Sequence, residues 1–424
     1  RDLRQQARRE PEHRDPVKWD SVVAYNYLVG VGPNNQGGTA GASATAAAPK
    51  YRKQEQEPAT PEVTEVAPGV LRLQLPIHLP GLGHVNCYAL EDERGFALVD
   101  PGMPGPRAWR ELQAALQRAG IPLKRVHTAI VTHSHPDHFG GAGKLRREAG
   151  AQIVAHRAFR LRWNPNEADD DLDVETQAAA HEACNHDHGH HHHHGEDGHE
   201  HPHQHESLRE HNWNHPAPWG GKPPGPNLRR KLRWKLMRAI PGVMPTPTPT
   251  TRLREADTVR FARREWVAVH TPGHTADHLC LFDPTEGTFL SGDHVLPTIT
   301  PHISGLMIAA DPLQMFFSSL DKVRAFGAQV RTVLPAHGHP FPDLAKRVDD
   351  IKEHHAERLE RLHKASRDLG RAGTVSEFST YLFSPRAQGP MADSESYAHL
   401  EHLVNLGKAE RHRRTDGYLV YDIA

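Results

Sequence analysis

At 424 residues the chain can bury a sizeable core and is long for one domain, so two folded units with insertions are expected. Its 51 Lys and Arg against 52 Asp and Glu leave it near neutral, which excludes any argument from global charge for a polyanionic partner. Three cysteines exclude a disulfide framework and fit a reducing, cytoplasmic location. No run of eighteen apolar residues offers a membrane span.

Residues 1–61 are charged, then rich in Gly, Ala and Thr (GGTAGASATAAAP), then polar, and are expected to form a disordered arm. VVAYNYLVGVG (22–32) is its one strand-like run. From residue 62 short apolar runs alternate with turn signals: VLRLQLPI (70–77), NCYALED (86–92) and GFALVDPG (95–102) read as strands. PRAWRELQAALQRAG (106–120) has apolar residues at helical spacing, with Pro at its start and Gly at its end. A strand over 125–133, a continuous helix over 137–150 and a strand over 151–156 follow. Cys87 and Cys280 sit in strand-like runs and read as small buried hydrophobes.

Residues 161–250 break this rhythm and read as an insertion. Strands resume at 257–261, 265–273, 278–283 and 288–293, then a helix at 311–326, a strand at 331–337 and a long amphipathic helix at 342–370. Strands in runs with helices at intervals predict an α+β fold, two sheets sandwiched between helices, over 62–370. Residues 371–424 read as two helices and a hairpin with Asp-Gly at its turn, the winged-helix pattern, acting either as a domain of its own or as a cap on the preceding one.

The densest chemical signal is Thr132-His133-Ser134-His135-Pro136-Asp137-His138. His133 and His135 are two apart at a strand end, so their rings project the same way, while Asp137 and His138 enter the helix. Imidazole and carboxylate at this spacing suit a divalent ion of the zinc class. With LVDPG (Asp100), TPGHT (His274), SGDH (Asp293) and PAHG (His337) in that order, the sequence resembles the metallo-β-lactamase superfamily. Within it, the chain is most similar to the glyoxalase-II-like and β-lactamase-like-2 group with a C-terminal winged helix.

The resemblance implies a four-layer αββα sandwich holding two divalent ions, Zn2+ foremost. His133, His135 and His274 would bind the first, Asp137, His138 and His337 the second, and Asp293 would bridge them. His337 is preferred to His339 because it closes its strand directly. Asp100 is read as orienting the His-Asp loop, and His156, His278 and His294 as supporting residues. Two ions bring +4, and Asp137, Asp293 and a bridging hydroxide bring −3. The remainder favours a transition state that gathers negative charge. Asp137 and His302 are the candidate catalytic residues. His302 lies in an extended, proline-containing loop just after Asp293, where it could donate a hydrogen bond to substrate.

Two features lie outside that resemblance. Residues 181–215 hold fourteen histidines without strand or helix periodicity, and read as a solvated loop or a metal-collecting one. NLRRKLRWKLMRAI (227–240) reads as a basic amphipathic helix. The expected activity is metal-dependent hydrolysis of a small-molecule ester or thioester by a metal-bridging hydroxide. A single-strand endoribonuclease, with single-stranded RNA guided by the basic helix and Arg411, Arg413 and Arg414, is the alternative. A metal-buffering protein and a homodimer are further readings.

Overall fold

The computed structural model describes residues 53–79, 81–161, 217–221, 247–306 and 309–424. The run at 22–32, the histidine tract at 181–215, the basic helix at 227–240 and Cys184 lie outside the described residues.

The first sheet is built from β1 (Val63–Ala67), β2 (Val70–Leu79), β3 (Leu82–Asp92), β4 (Gly95–Val99), β5 (Val126–Ile130), β6 (Gln152–His156) and β7 (Thr251–Leu253), in that spatial order. β1 to β4 pair antiparallel and β4 to β7 parallel. Helices α1 (Pro106–Arg118), α2 (Pro136–Phe139) and α3 (Ala142–Ala149) come from its crossovers. The second sheet runs β12 (Thr332–Pro335), β11 (Thr288–Gly292), β10 (Leu279–Asp283), β9 (Arg264–His270), β8 (Thr258–Phe261). α4 (Pro312–Arg324) and α5 (Leu344–Leu369) belong to this half.

The strands alternate between two apolar surfaces. Along β3, Val85, Cys87 and Ala89 face a core with Trp109, Leu112 and Leu116 of α1 and Leu145 of α3. Tyr88 and Leu90 face the opposite way, into a core shared with Trp266, Ala268 and Leu281 of the second sheet. On β10, Leu279 and Leu281 point into that central layer, whereas Cys280 and Phe282 pack toward Leu313, Phe316 and Leu320 of α4 and Val348 and Ile351 of α5. Burial on both faces explains why these strands read as unbroken apolar runs. The layers are helix, sheet, sheet, helix. Cys87 and Cys280 are both free and buried.

The remaining elements are β13 (Gly373–Thr374), α6 (Val375–Leu382), α7 (Pro390–Asn405), β14 (Ala409–Arg413) and β15 (Leu419–Ile423), with a small antiparallel sheet in the order β13-β15-β14. Thr374 and Glu377 close α6 with a reciprocal capping box. α5 serves two cores. Leu344, Val348 and Ile351 lie under the second sheet, and Leu362 and Ala365 join Phe378, Leu400 and Tyr421 in the C-terminal core.

Two sequence expectations need correction, and part of the insertion finds its place. The helix expected over 137–150 is two helices joined at Gly140 and Gly141, where a Cβ would stand 2.0 Å from Pro104 N and 2.3 Å from Pro101 O respectively. The segment 101–104 is pressed against this turn, and only paired glycines admit it. Residues 53–61 are not part of a loose arm: Gln54–Gln56 form a short 3-10 turn, and the buried Glu55 carboxylate accepts from the amides of Thr298 and Ile299. Residues 217–221, expected within the insertion, dock on the C-terminal unit. Trp219 is buried in its core and its carbonyl accepts from Leu419 N at 3.0 Å.

Candidate metal centre

The site forms where the chain leaves β5, β9, β11 and β12. β4 and β5 are parallel, as are β11 and β12, and β9 runs the same way as β11 because both pair antiparallel with β10. Within the second sheet the C-terminal ends of β9, β11 and β12 therefore share one edge, and the residues that follow β5 of the first sheet meet them there. His133 and His135 follow β5, His274 follows β9, Asp293 follows β11 and His337 follows β12. Asp137 and His138 sit in the one-turn helix α2.

All seven residues read as ligands meet here, in two groups. His133, His135, His274 and Asp293 place ligand atoms within 4.8 Å of one another, and so do Asp137, His138 and His337. His133 Nε2 stands 3.0 Å from His135 Nδ1, which is 3.1 Å from His274 Nε2. Nitrogens bound to one tetrahedral zinc stand roughly 3.3 Å apart, from Zn–N bonds of about 2.0–2.1 Å. Asp293 joins the groups. Oδ1 is 3.3 Å from His337 Nε2, and Oδ2 is 3.6 Å from His138 Nε2, 3.7 Å from His274 Nε2 and 3.9 Å from His133 Nε2.

The ring protons of this cluster fix what it can hold. His138 Nδ1 donates to Asp100 at 2.9 Å, His274 Nδ1 to the carbonyl of His302 at 2.6 Å, and His337 Nδ1 to the carbonyl of His84 at 2.6 Å. The Thr132 hydroxyl gives its proton to Asp100, so it accepts from His133 Nδ1 at 3.0 Å. In four neutral rings, then, Nε2 is an inward lone pair. Buried atoms Asp137 Oδ1, Asp293 Oδ1, His138 Nε2 and His337 Nε2 have no hydrogen-bond partner. Lone pairs and carboxylates converging in a buried space can be satisfied together only by cations, so the donor set fits two divalent ions.

The electrostatics agree. Burial lowers His133, and its neighbours His138 and His135 lower it further. Burial also pulls His138 down, but Asp137, Asp293 and Asp100 carry it well above its ordinary value. Burial pushes Asp293 up, but His337 and His138 hold it well below the carboxylate range. Without a cation the carboxylates draw protons onto imidazole, so acid and metal compete for the same nitrogens.

The supporting residues are placed as follows. Asp100 accepts from Thr132 N and Oγ1 and from His138, at 2.9 Å each, and so holds the His-Asp loop. It adopts a left-handed backbone at φ 53°. His278 Nε2 accepts from Asp293 N at 3.0 Å and its Nδ1 meets Thr271 Oγ1 at 2.7 Å, which steadies the carboxylate that joins the groups. His156 stacks on His270 at 3.7 Å, and the His294 ring lies 5.8 Å from that of His278. His339, the competitor of His337, points away to Glu57 at 2.8 Å. The ring of His302 is not in the cluster. It faces Glu395 on α7, and the backbone carbonyl is what reaches His274.

Two participants escaped the sequence reading. His84 is buried on β3, with Nδ1 2.8 Å from the Glu57 carbonyl and Nε2 accepting from Gly338 N at 3.1 Å. Asp277 accepts from Ser134 Oγ at 3.1 Å and is buried, with no hydrogen-bond partner for Oδ2. Burial lifts its carboxyl to about 6. Neither stands in a motif, and their partners lie far along the chain.

The metallo-beta-lactamase superfamily model matches residues 80–337, which is more than half of the chain. Over 77 residues (18% of this chain, 27% of the relative) the sequence is 40% identical to a hydroxyacylglutathione hydrolase of Albidiferax ferrireducens. Over 81 residues (19% and 23%) it is 37% identical to an atrochrysone carboxyl ACP thioesterase of Aspergillus aculeatus. These alignments span about a quarter of the curated relatives' length. Among solved structures, a beta-lactamase domain protein from Burkholderia ambifaria superposes with a TM-score of 0.61 at 25% identity, covering 87% of this chain and 95% of that one. A metallo-beta-lactamase family protein from Thermus thermophilus shows the same fold, with a TM-score of 0.59 at 24% identity, covering 85% of this chain and all of that one. By its fold and family match, the chain belongs to the metallo-beta-lactamase superfamily.

Proposed function

We propose that this chain is a two-metal hydrolase acting on a small-molecule ester or thioester, with zinc as its ion. The convergence of five imidazoles and two carboxylates, four of the rings held by an outer hydrogen bond with Nε2 turned inward, carries this reading. Divalent ions held there supply Lewis acidity and a hydroxide nucleophile at neutral pH. The chain's own residues do the positioning. His133, His135 and His274 would hold one ion and Asp137, His138 and His337 the other, with Asp293 shared. Asp100, Thr132, His278 and the carbonyls of His84 and His302 lock ring tautomers and carboxylate direction in advance. His302 spends Nδ1 on Glu395, which leaves Nε2 as the ring atom that would meet a substrate.

The names of the relatives favour acyl transfer to water, since one acts on a glutathione thioester and another on an acyl-carrier thioester. The basic features weigh less for RNA. In the C-terminal unit, which we read as a winged-helix domain over 371–424, α7 is the element that would enter a groove. It buries Glu395, His399, Glu401 and His402 instead. Arg411 pairs with Glu401, Arg413 donates to the carbonyls of Pro218 and Gly417, and Arg414 pairs with Asp416. The test is a screen of zinc-loaded protein against glutathione, coenzyme A and carrier-protein thioesters, lactones and single-stranded RNA at low and high salt. Thioester turnover that varies little with salt supports the proposal, and salt-sensitive RNA cleavage without thioester turnover overturns it.

A further inference from the structure

In the first group, the outer nitrogen of His274 is fixed by a loop carbonyl, that of His302, at 2.6 Å. The loop itself is fastened from the C-terminal unit. The His302 ring brings Nδ1 to 3.2 Å from Glu395 Oε2 on α7. Arg358 on α5 donates to the other oxygen of the same carboxylate and lies 4.9 Å over the ring of Phe383. Three residues further along the loop, Gly305 N donates to Ser394 Oγ at 3.1 Å, and a Cβ on Gly305 would stand 2.5 Å from Tyr397 Cδ1. The loop is thus held to α7 at two points, with no room for a side chain at Gly305.

The Glu395–Arg358 pair has side chains only 8% and 11% exposed. A buried ion pair is poor value as a stabiliser, because desolvation offsets most of its attraction. Its geometry instead serves direction: the carboxylate is gripped on one oxygen by Arg358 and presents the other to His302.

We propose that Glu395, held by Arg358, is a positioning residue for the metal centre: through the His302 ring it sets the carbonyl that fixes the His274 tautomer and aims His274 Nε2 at the other ligands. The C-terminal unit then completes the first ion's site without supplying a ligand. This rests on the two-metal reading above. An outer partner of a ligating histidine typically contributes about 10–100-fold in metal affinity.

The test compares zinc-loaded wild type with Glu395→Gln, His302→Ala and the double variant, timing the release of each ion to a chelator. Cobalt(II)-substituted protein reports the ligand field at the same site by its absorption. Either single change should release one of the two ions about ten- to a hundredfold faster and leave the other at the wild-type rate. The double variant should be no faster than the faster single, since both act through one contact. If Glu395→Gln does not fold, His302→Ala carries the comparison by itself, its ring being partly exposed. Wild-type release rates in the singles, or equal acceleration of both ions, overturn the positioning role and leave the metal reading standing. A wild-type protein that takes up no zinc overturns both.

Discussion

Asp100 and His138 are joined by a 2.9 Å hydrogen bond across 38 residues, from the ring Nδ1 to a carboxylate oxygen that also accepts from Thr132. One buried acid thereby orients two imidazoles, His138 directly and His133 by way of the Thr132 hydroxyl. Asp100→Ala frees both rings. Zinc affinity should drop by roughly 10–100-fold per affected ion, the usual loss for such a partner. Competition with a chromogenic chelator measures it, and unchanged affinity would show that the rings need no such anchor.

Asp293 is the residue whose oxygens approach both groups. Asp293→Ala should lower bound zinc from two ions to one or none and abolish turnover, with far-UV circular dichroism unchanged. Full turnover, or two retained ions, would mean the two groups do not depend on a shared carboxylate.

Asp277 predicts a dependence on pH. Burial raises its folded-state value to about 6 against an ordinary 3.8, and Oδ2 lacks a hydrogen-bond partner. A raised carboxyl means the folded state holds its proton more tightly than the unfolded state. Its ionisation therefore costs stability, fully above pH 6, less between 6 and 4, and not at all below. Asp277→Asn removes the charge and keeps an acceptor for Ser134. The metal-free variant should gain on the order of 2–3 kcal/mol at pH 7.5, with the gain vanishing near pH 4. Thermal melts across that range would settle it; a variant less stable at pH 7.5 contradicts the argument.

The histidine tract supplies none of the seven residues that converge on the site. Deleting 181–215 should leave turnover of fully zinc-loaded enzyme within about twofold of wild type, and slow reactivation of stripped protein only when zinc is scarce. Lost activity under saturating zinc would give the tract a part in the pocket.

How much of this could be read in advance depended on how far apart the partners lie. His133, His135, Asp137 and His138 fall within six residues, and His274, Asp293 and His337 each follow a strand, so local pattern marked them. The strands were legible for a related reason, since burial on both faces leaves continuous apolar runs. The need for glycine at both 140 and 141 was not, because what forbids a side chain there is the approach of residues 101–104, a contact between segments.

Sequence by itself determined which chemistry could be assembled: imidazoles and carboxylates at the ends of buried strands, enough for two ions. Tertiary structure decided which atoms do it. His337 and His339 are two residues apart on the same segment, yet one meets the His84 carbonyl, 253 residues away, and turns inward, while the other pairs with Glu57, 282 residues away. It also decided that His302 contributes a carbonyl to His274 and a ring to Glu395, and that residues 53–57 and α7 close around the site. A hydrogen bond has a direction and a reach of about 3 Å. Spacing along a chain predicts such contacts within one strand end or one helical turn, and only the packing of sheets, helices and straps together sets them across hundreds of residues.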